Sequence, residues 1–522
     1  MNRILFFLFI FKLIQYDTCY SQPGKLDLTF GGSGYVLTQF GNQILNTTNL
    51  VIQPDGKIIA LGAAFTAQGS NSNIGRYATE LVSIVRYNTN GTLDQNFGSG
   101  GKIQLITGIG IYPYSYNGPY PAIQPDGKIL FAYTILNSDS NFDYALTRLN
   151  TDGSIDTTFG SNGTVQTDYD STKFDFIYSI VVQPDRRIIL GGSAGTTPFL
   201  VRYQATGIID SSFGVNGKVT IPSLFNLRNM TLLPSGQILI RTGSLELLRL
   251  TSDGQIDTNF HSPVYNLPHA EYNISSMASW NDGSIFLGGD TMNLNNNSST
   301  TSFLIKLTPS DSMDTSFNSC GYTFDNILAN SSISAIAIAS DGSIFVSGSA
   351  GYMENINTAY SIYVTKYMQN GSTDSSFGNN GSFIMDTLLV GNTTASAIAI
   401  ESDGKIVILG NGNSPGFLVL RLLNNLTLGI VKFDCGGDIM QIYPNPIYHR
   451  ATLSYELVND ERISIGIYGM DGRQVQAIVT NQYKHSGKYT QTIDLNENIS
   501  AGNYILRIAN NNGSSNIKII AK

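Results

Sequence analysis

The stretch VIQPDGKIIALG at residues 51–62, followed by SIVRYNTNGTLDQNFGSGGKI at 83–103, decides the fold. Its first half sets a Pro-Asp-Gly reversal between two runs of Ile, Leu and Val. Proline fixes φ and glycine supplies φ > 0, so this segment predicts a tight hairpin. The second half holds a third strand, IVRY, a turn ending in Asp94-x-x-Phe97, and a fourth strand that opens on Gly100-Gly101. Two hairpins in tandem give four short antiparallel strands, the content of one propeller blade.

The same wording recurs seven times at a spacing of roughly 58 residues, a period typical of solenoids, propellers and arrays. The first turn falls at Asp55-Gly56, Asp126-Gly127, Asp185-Arg186, Ser235-Gly236, Asp282-Gly283, Asp341-Gly342 and Asp403-Gly404. The chain enters on the second half of a copy, GKLDLTFGGSGYVLTQF at 24–40, and the seventh copy stops after its third strand, FLVLRLL at 417–423. These halves complement each other. Lending residues 26–40 to the last blade closes a ring and removes the open sheet edge that an array leaves exposed. An open β-solenoid would not need this split. The expectation is an all-β chain: a seven-bladed β-propeller closed by the N-terminal strand, then a small C-terminal β-sandwich.

A basic residue recurs in every third strand: Arg86, Arg148, Arg202, Arg249, Lys306, Lys366 and Arg421. In the first six copies an aspartate follows eight residues later, at Asp94, Asp156, Asp210, Asp257, Asp314 and Asp374, and the corresponding position after Arg421 is Gly429. Its aspartate must come from the other end of the chain, at Asp27. A residue type required in every blade reads as scaffold, so the expectation is a ring of structural ion pairs, with each D-x-x-F phenylalanine packed between sheets.

The pairing of LDxxFGxxG at Leu93–Gly101 with IQPDGKI at Ile123–Ile129 resembles the bacterial delta-60 repeat family, a propeller-type repeat without assigned biochemistry. That resemblance covers about residues 24–423. Blades four and five depart from it, with Ser235 at the first turn and His261 and Asn318 in place of glycine after the phenylalanine, so local irregularity is expected there. The order YPNP, IYGMDGR, IDL, SAGNYILRI over residues 442–522 resembles the type A sorting domain of the type IX secretion system of Bacteroidota. It implies passage across the outer membrane, removal of the domain, and release or attachment at the cell surface, with the secretion machinery as partner. Residues 1–21 read as a signal peptide, with Arg3, the apolar run Ile4–Phe11 and small residues at Cys19 and Ser21. The domain plan is 1–21 signal peptide, 22–430 propeller, 431–441 linker and 442–522 sorting domain.

The chemistry inventory is sparse. A net charge of −8 without a basic patch excludes phosphate-backbone binding, so no nucleic-acid partner is expected. The four histidines, His261, His269, His449 and His485, give little material for a triad or a histidine-based metal centre. The calcium-loop-like run Asn150–Asp156 varies between copies at the place of Asp152 and reads as a turn. No metal, no cofactor, no catalytic residue and no transmembrane segment are expected, and a monomer is. Cys320 and Cys435 leave one pairing open. What varies between copies lies on one face: residues 62–80, 138–143, 290–301 and 349–361, and the crossing 104–121. The crossing carries Tyr112, Tyr114, Tyr116 and Tyr120, whose rings suit glycan or protein surfaces; packing over the rim is the other reading of them. The functional expectation is a secreted or cell-surface, non-catalytic binding propeller for a glycan or protein ligand. The alternative is a carboxylate-based polysaccharide hydrolase or lyase.

Overall fold

The computed structural model describes residues 23–521 apart from 42, 68–77, 111–117, 137–140, 222, 224, 244, 264, 266, 269–270, 293–299, 326, 328–329, 355–356, 386–390, 413–415, 425–439, 444, 458–459, 470–472, 497–498 and 511–512. The expected signal peptide and Tyr112, Tyr114 and Tyr116 lie outside the described residues. Contacts divide the chain into two compact units, one spanning Gln22–Asn424 and one holding Asn425–Lys522.

The long unit contains seven antiparallel meander sheets among the described residues. Blade 1 comprises Ile44–Ile52, Ile58–Ala67, Ala78–Tyr87 and Lys102–Gly110, and blade 2 comprises Tyr120–Ile123, Ile129–Leu136, Phe142–Leu149 and Thr164–Thr167. Blade 3 runs Asp175–Val182, Ile188–Ala194, Thr197–Tyr203 and Lys218–Thr220, and blade 4 runs Leu227–Leu232, Ile238–Thr242 and Glu246–Leu250. Blade 5 holds Tyr272–Ser279, Ile285–Met292, Thr300–Leu307 and Tyr322–Asp325; blade 6 holds Asn330–Ile338, Ile344–Glu354, Asn357–Tyr367 and Ser382–Ile384. Blade 7 joins Thr394–Ile400, Ile406–Asn411 and Phe417–Leu422 to Tyr35–Thr38 from the start of the chain.

Closure is therefore a sheet, with Tyr35 opposite Leu420 and Thr38 opposite Phe417. Further backbone bonds fasten it, among them Asp27 N–H donating to the Arg421 carbonyl at 2.8 Å and Arg421 N–H to that of Gly34 at 2.9 Å. The second strands are buried on both faces, which is why they read as continuous Ile/Leu/Val/Ala/Gly runs. Side chains of neighbouring sheets interlock into shared cores, as where Ala60 and Val85 of blade 1 meet Val407 and Phe417 of blade 7.

Two expectations change. Residues 62–80 and 349–361 are not simply loops: Gly62–Ala67 pairs with Ala78–Ser83, and Ser349–Glu354 pairs with Asn357–Ile362. Cross-strand pairing continues past the conserved-length core because Thr, Ala, Tyr and Ile keep strand-compatible side chains there. Blade 4 has three strands among the described residues, and the backbone N–H of Leu247 donates to the Ser262 hydroxyl at 3.1 Å where a fourth strand would pair. The sequence there, HSPVYNLP at 261–268, interposes two prolines that cannot donate to a ladder.

In the second unit, a three-stranded sheet (Met440–Tyr443, Arg450–Leu457, Gly487–Asp494) accompanies a four-stranded one (Glu461–Gly469, Gln474–Lys484, Gly502–Asn510, Gly513–Ala521). Leu453 and Tyr455 of the first pack with Ile465, Ile467 and Leu506 of the second, the core of a β-sandwich. Its first strand begins at Met440, inside the segment expected to be linker.

Candidate functional site

The repeat residues meet at the seams between blades. Arg86 Nε donates to Asp94 Oδ2 at 2.9 Å, and its Nη1 crosses to the Thr151 carbonyl of blade 2. Arg148 repeats this with Asp156 (2.7 Å) and the Ala205 carbonyl, Arg202 with Asp210 (2.8 Å) and the Ser252 carbonyl. Arg421 reaches Asp27 at 2.9 Å and the Thr89 carbonyl, so the pair expected across the chain ends is formed. Arg249 bonds Asp257 at 2.9 Å, while Lys306 and Lys366 hold Asp314 and Asp374 at 2.9 Å each. The guanidinium of each of the five arginines also lies over the phenylalanine of its own D-x-x-F, at 4.3 to 4.8 Å.

Electrostatics in this ring favour the ionised aspartates. Burial alone pushes the Asp27 carboxyl up, but the Thr29 hydroxyl and the Arg421 guanidinium more than offset it and leave it low. Asp94, Asp156, Asp210, Asp257, Asp314 and Asp374 are likewise held below the usual carboxylate range by their basic partners and by hydroxyl or backbone donors two residues on.

A further part of this arrangement went unread in the sequence. Arg86, Arg148 and Arg202 each send Nη1 to the side-chain oxygen of Gln53, Gln124 and Gln183, at 3.1, 3.4 and 3.3 Å, and Arg421 sends it to Glu401 at 3.4 Å. Lysine stands where that position is Trp280 or Ala339. Arg249, facing Leu233, turns instead to Asp311 of blade 5 at 3.0 Å. The signal was available as covariation of Gln or Glu before the first turn with Arg in the third strand. A fork of donors needs a second acceptor and a lysine ammonium does not.

Surface grooves lie over two of these seams: one of about 470 Å³ lined by Gln53, Lys57, Arg86, Asp126 and Asp152, the other of about 400 Å³ lined by Thr29, Thr89, Glu401, Lys405 and Arg421. Equivalent residues line both. The grooves are thus products of the repeat.

The other face differs from blade to blade. Tyr120 is half-buried and packs against the core shared by blades 2 and 3, and burial with Tyr178 nearby pushes its hydroxyl pKa upward. At the same end of the sheets, Asp143 is the second residue of the third strand of blade 2, Asp168 follows its fourth strand, and Asp175 begins blade 3. Oxygens of these three carboxylates lie within 4.8 Å of one another. Asp175 is 0% exposed. Burial pushes it up to about 6, opposed by backbone N–H groups of Tyr169 and Asp170 and reinforced by Asp168 and Asp143. The sequence reading missed this cluster, because its members are separated in sequence and belong to no repeat position. Asn150–Asp156 forms a turn, Ser154 donating from backbone and hydroxyl to Asp152 at 2.9 and 2.7 Å. Cys320 forms no disulfide among the described residues, and Cys435 lies outside them.

The sequence matches the β-propeller domain of unknown function DUF5122 at residues 53–97, 124–159, 183–213, 281–317 and 339–377. Residues 441–522 match the secretion system C-terminal sorting domain. No curated protein matches. Among solved structures, the chain is similar to the polysaccharide lyase Uly1 at 12% identity, covering 72% of this chain and 89% of that one, with a TM-score of 0.41. It is similar to PorZ, a surface component of the type IX secretion system of Porphyromonas gingivalis, at 10% identity over 95% and 87% of the two chains, with a TM-score of 0.24. A glucose dehydrogenase aligns at 10% identity over 75% and 99%, with a TM-score of 0.34. No helix among the described residues is long and apolar enough to cross a membrane. The chain carries β-propeller repeats of the DUF5122 kind and, at its C-terminal end, a type IX sorting domain, the signal for export to the cell surface or the extracellular space.

Proposed function

We propose that this exported protein is a non-catalytic binding propeller that takes a glycan or protein ligand on its variable-loop face. One observation carries the reading: the carboxylates that recur in every blade are tied up in ion pairs of the scaffold. The seven D-x-x-F aspartates sit in ion pairs that keep them ionised. A general acid must reach its substrate within hydrogen-bond distance.

A hydrolase or lyase is the second reading, favoured by the raised Asp175 beside Asp143 and Asp168, since two carboxyls about 5 Å apart with one pKa raised is the pattern of a retaining glycosidase. Against it, Asp175 is wholly enclosed. The test is a glycan array and a panel of soluble polysaccharides presented to the secreted protein. Saturable binding that falls when Tyr112, Tyr114 and Tyr116 are replaced together by alanine, with no new reducing or unsaturated ends, supports binding. Release of such ends from any polysaccharide sinks it.

A further inference from the structure

We propose that Asp143, Asp168 and Asp175 hold a divalent, oxygen-seeking cation of the Ca²⁺ class, fastening blade 2 to blade 3 on the variable-loop face. Two oxygens that ligate one Ca²⁺ at about 2.4 Å lie no more than about 4.8 Å apart, and the three carboxylates meet that limit. The cross-strand register explains two of them. Tyr144 pairs with Thr167, so one step further sets Asp143 against Asp168. Like charges directly opposite each other on a sheet repel unless a cation lies between them.

Asp175 supplies an independent sign. Its Oδ2 accepts the backbone N–H groups of Tyr169 and Asp170 at 2.5 and 3.3 Å, while its Oδ1 is buried and takes no hydrogen bond among the described residues. A buried carboxylate oxygen without a donor is costly, and coordination to a metal removes that cost. The scaffold does not require an acid here. Asp175 stands two residues before the bulge between Ile177 and Ser179; in blades 6 and 7 the same place belongs to Ser331 and Thr393, whose hydroxyls accept the N–H groups of Ser302 and Ile362 at 3.0 and 2.9 Å.

The surrounding charge leaves room for a cation. Lys218 is the nearby base, and its Nζ lies 4.8 Å over the Tyr169 ring and donates to the Asp168 and Tyr169 carbonyls at 3.5 and 3.4 Å. Lys173 is engaged with Asp170 at 3.0 Å. Among the described residues, one ammonium against three carboxylates leaves net negative charge, and an all-oxygen donor set favours Ca²⁺ over the nitrogen- and sulfur-preferring Zn²⁺. The site stands whether or not the loop face binds a glycan.

The test uses the secreted full chain. Terbium(III) titration should give saturable emission sensitised by Tyr169 and competed by Ca²⁺, and the melting temperature should be higher in Ca²⁺ than in EDTA. Asp168→Asn, at an exposed position, and Asp143→Asn should each weaken Tb³⁺ binding by about tenfold or more, because affinity follows ligand charge, and should abolish the Ca²⁺-dependent rise in melting temperature. Identical melting in Ca²⁺ and EDTA, or Tb³⁺ emission unchanged in both variants, overturns the proposal.

Discussion

Replacing Asp27 with alanine tests whether ring closure depends on the pair formed across the chain ends. Arg421 contacts Asp27 Oδ2 through both Nε and Nη2 at 2.9 Å, and both side chains are about 4% exposed. Breaking a buried pair by removing one partner costs about 3–5 kcal/mol, mostly the desolvation of the charge left behind. Arg421 would keep Glu401 at 3.4 Å and the Thr89 carbonyl, so the lower end, about 3 kcal/mol, applies. Unfolding entropy of about 2.1 cal/mol/K per residue over a unit of roughly 400 residues converts this into a fall in melting temperature of about 3–4 °C. Asp94→Ala is the matched control, since Asp94 holds Arg86 and Lys57 in the same way, at 2.9 and 3.0 Å, but within a covalently continuous blade. Hydrogen exchange separates the two. Asp27→Ala should release the amides of Tyr35–Thr38 and Phe417–Leu422, whereas Asp94→Ala should leave them protected. An unchanged melting curve for Asp27→Ala, or equal loss of protection at those strands in both variants, refutes a closure that depends on this pair.

Two further outcomes are expected. Asp325, buried in blade 5, is pushed up to about 6 by burial, against the Thr365 and Tyr367 hydroxyls. The folded value exceeds the unfolded 3.8, so its protonated form supports the fold fully below about pH 4, and that support is lost as pH rises through about 6. Asp325→Asn should therefore be more stable than the parent at pH 7 by up to about 3 kcal/mol and no more stable at pH 3, measured by urea unfolding at both values. Gly153→Ala should cost about 2–5 kcal/mol, because φ is +87° and a Cβ would meet the Phe97 ring at 2.7 Å, while Gly236→Ala, at φ +82° with nothing within 4 Å, should cost only the strained backbone, about 1–2 kcal/mol. Thermal melts of the two variants give the comparison.

Much of the fold was legible because every copy of the repeat writes the same local rule: a tight first turn, most often Asp-Gly, at a fixed offset, apolar runs on either side of it, and one basic residue that in six of the seven copies stands eight positions before an aspartate. The lengths of the hairpins at 62–80 and 349–361 were not legible, since Ala, Thr and Tyr there serve a strand or a loop equally well until a partner strand lies alongside. Blade 4 could be flagged as irregular from His261 but not counted as three-stranded, because the strand depends on whether its backbone donors find a ladder.

The candidate site divides in the same way. The sequence by itself determined the seam ion pairs as positions, including the need to borrow Asp27 from the far end of the chain, because periodicity reveals any residue that every blade requires. Only the tertiary structure decided that Gln53, Gln124, Gln183 and Glu401 complete the arginine forks and that Asp143, Asp168 and Asp175 converge at one blade junction. A feature that occurs once has no period to announce it. Its members become neighbours only when two sheets, each folded by its own local rule, are packed face to face around the ring.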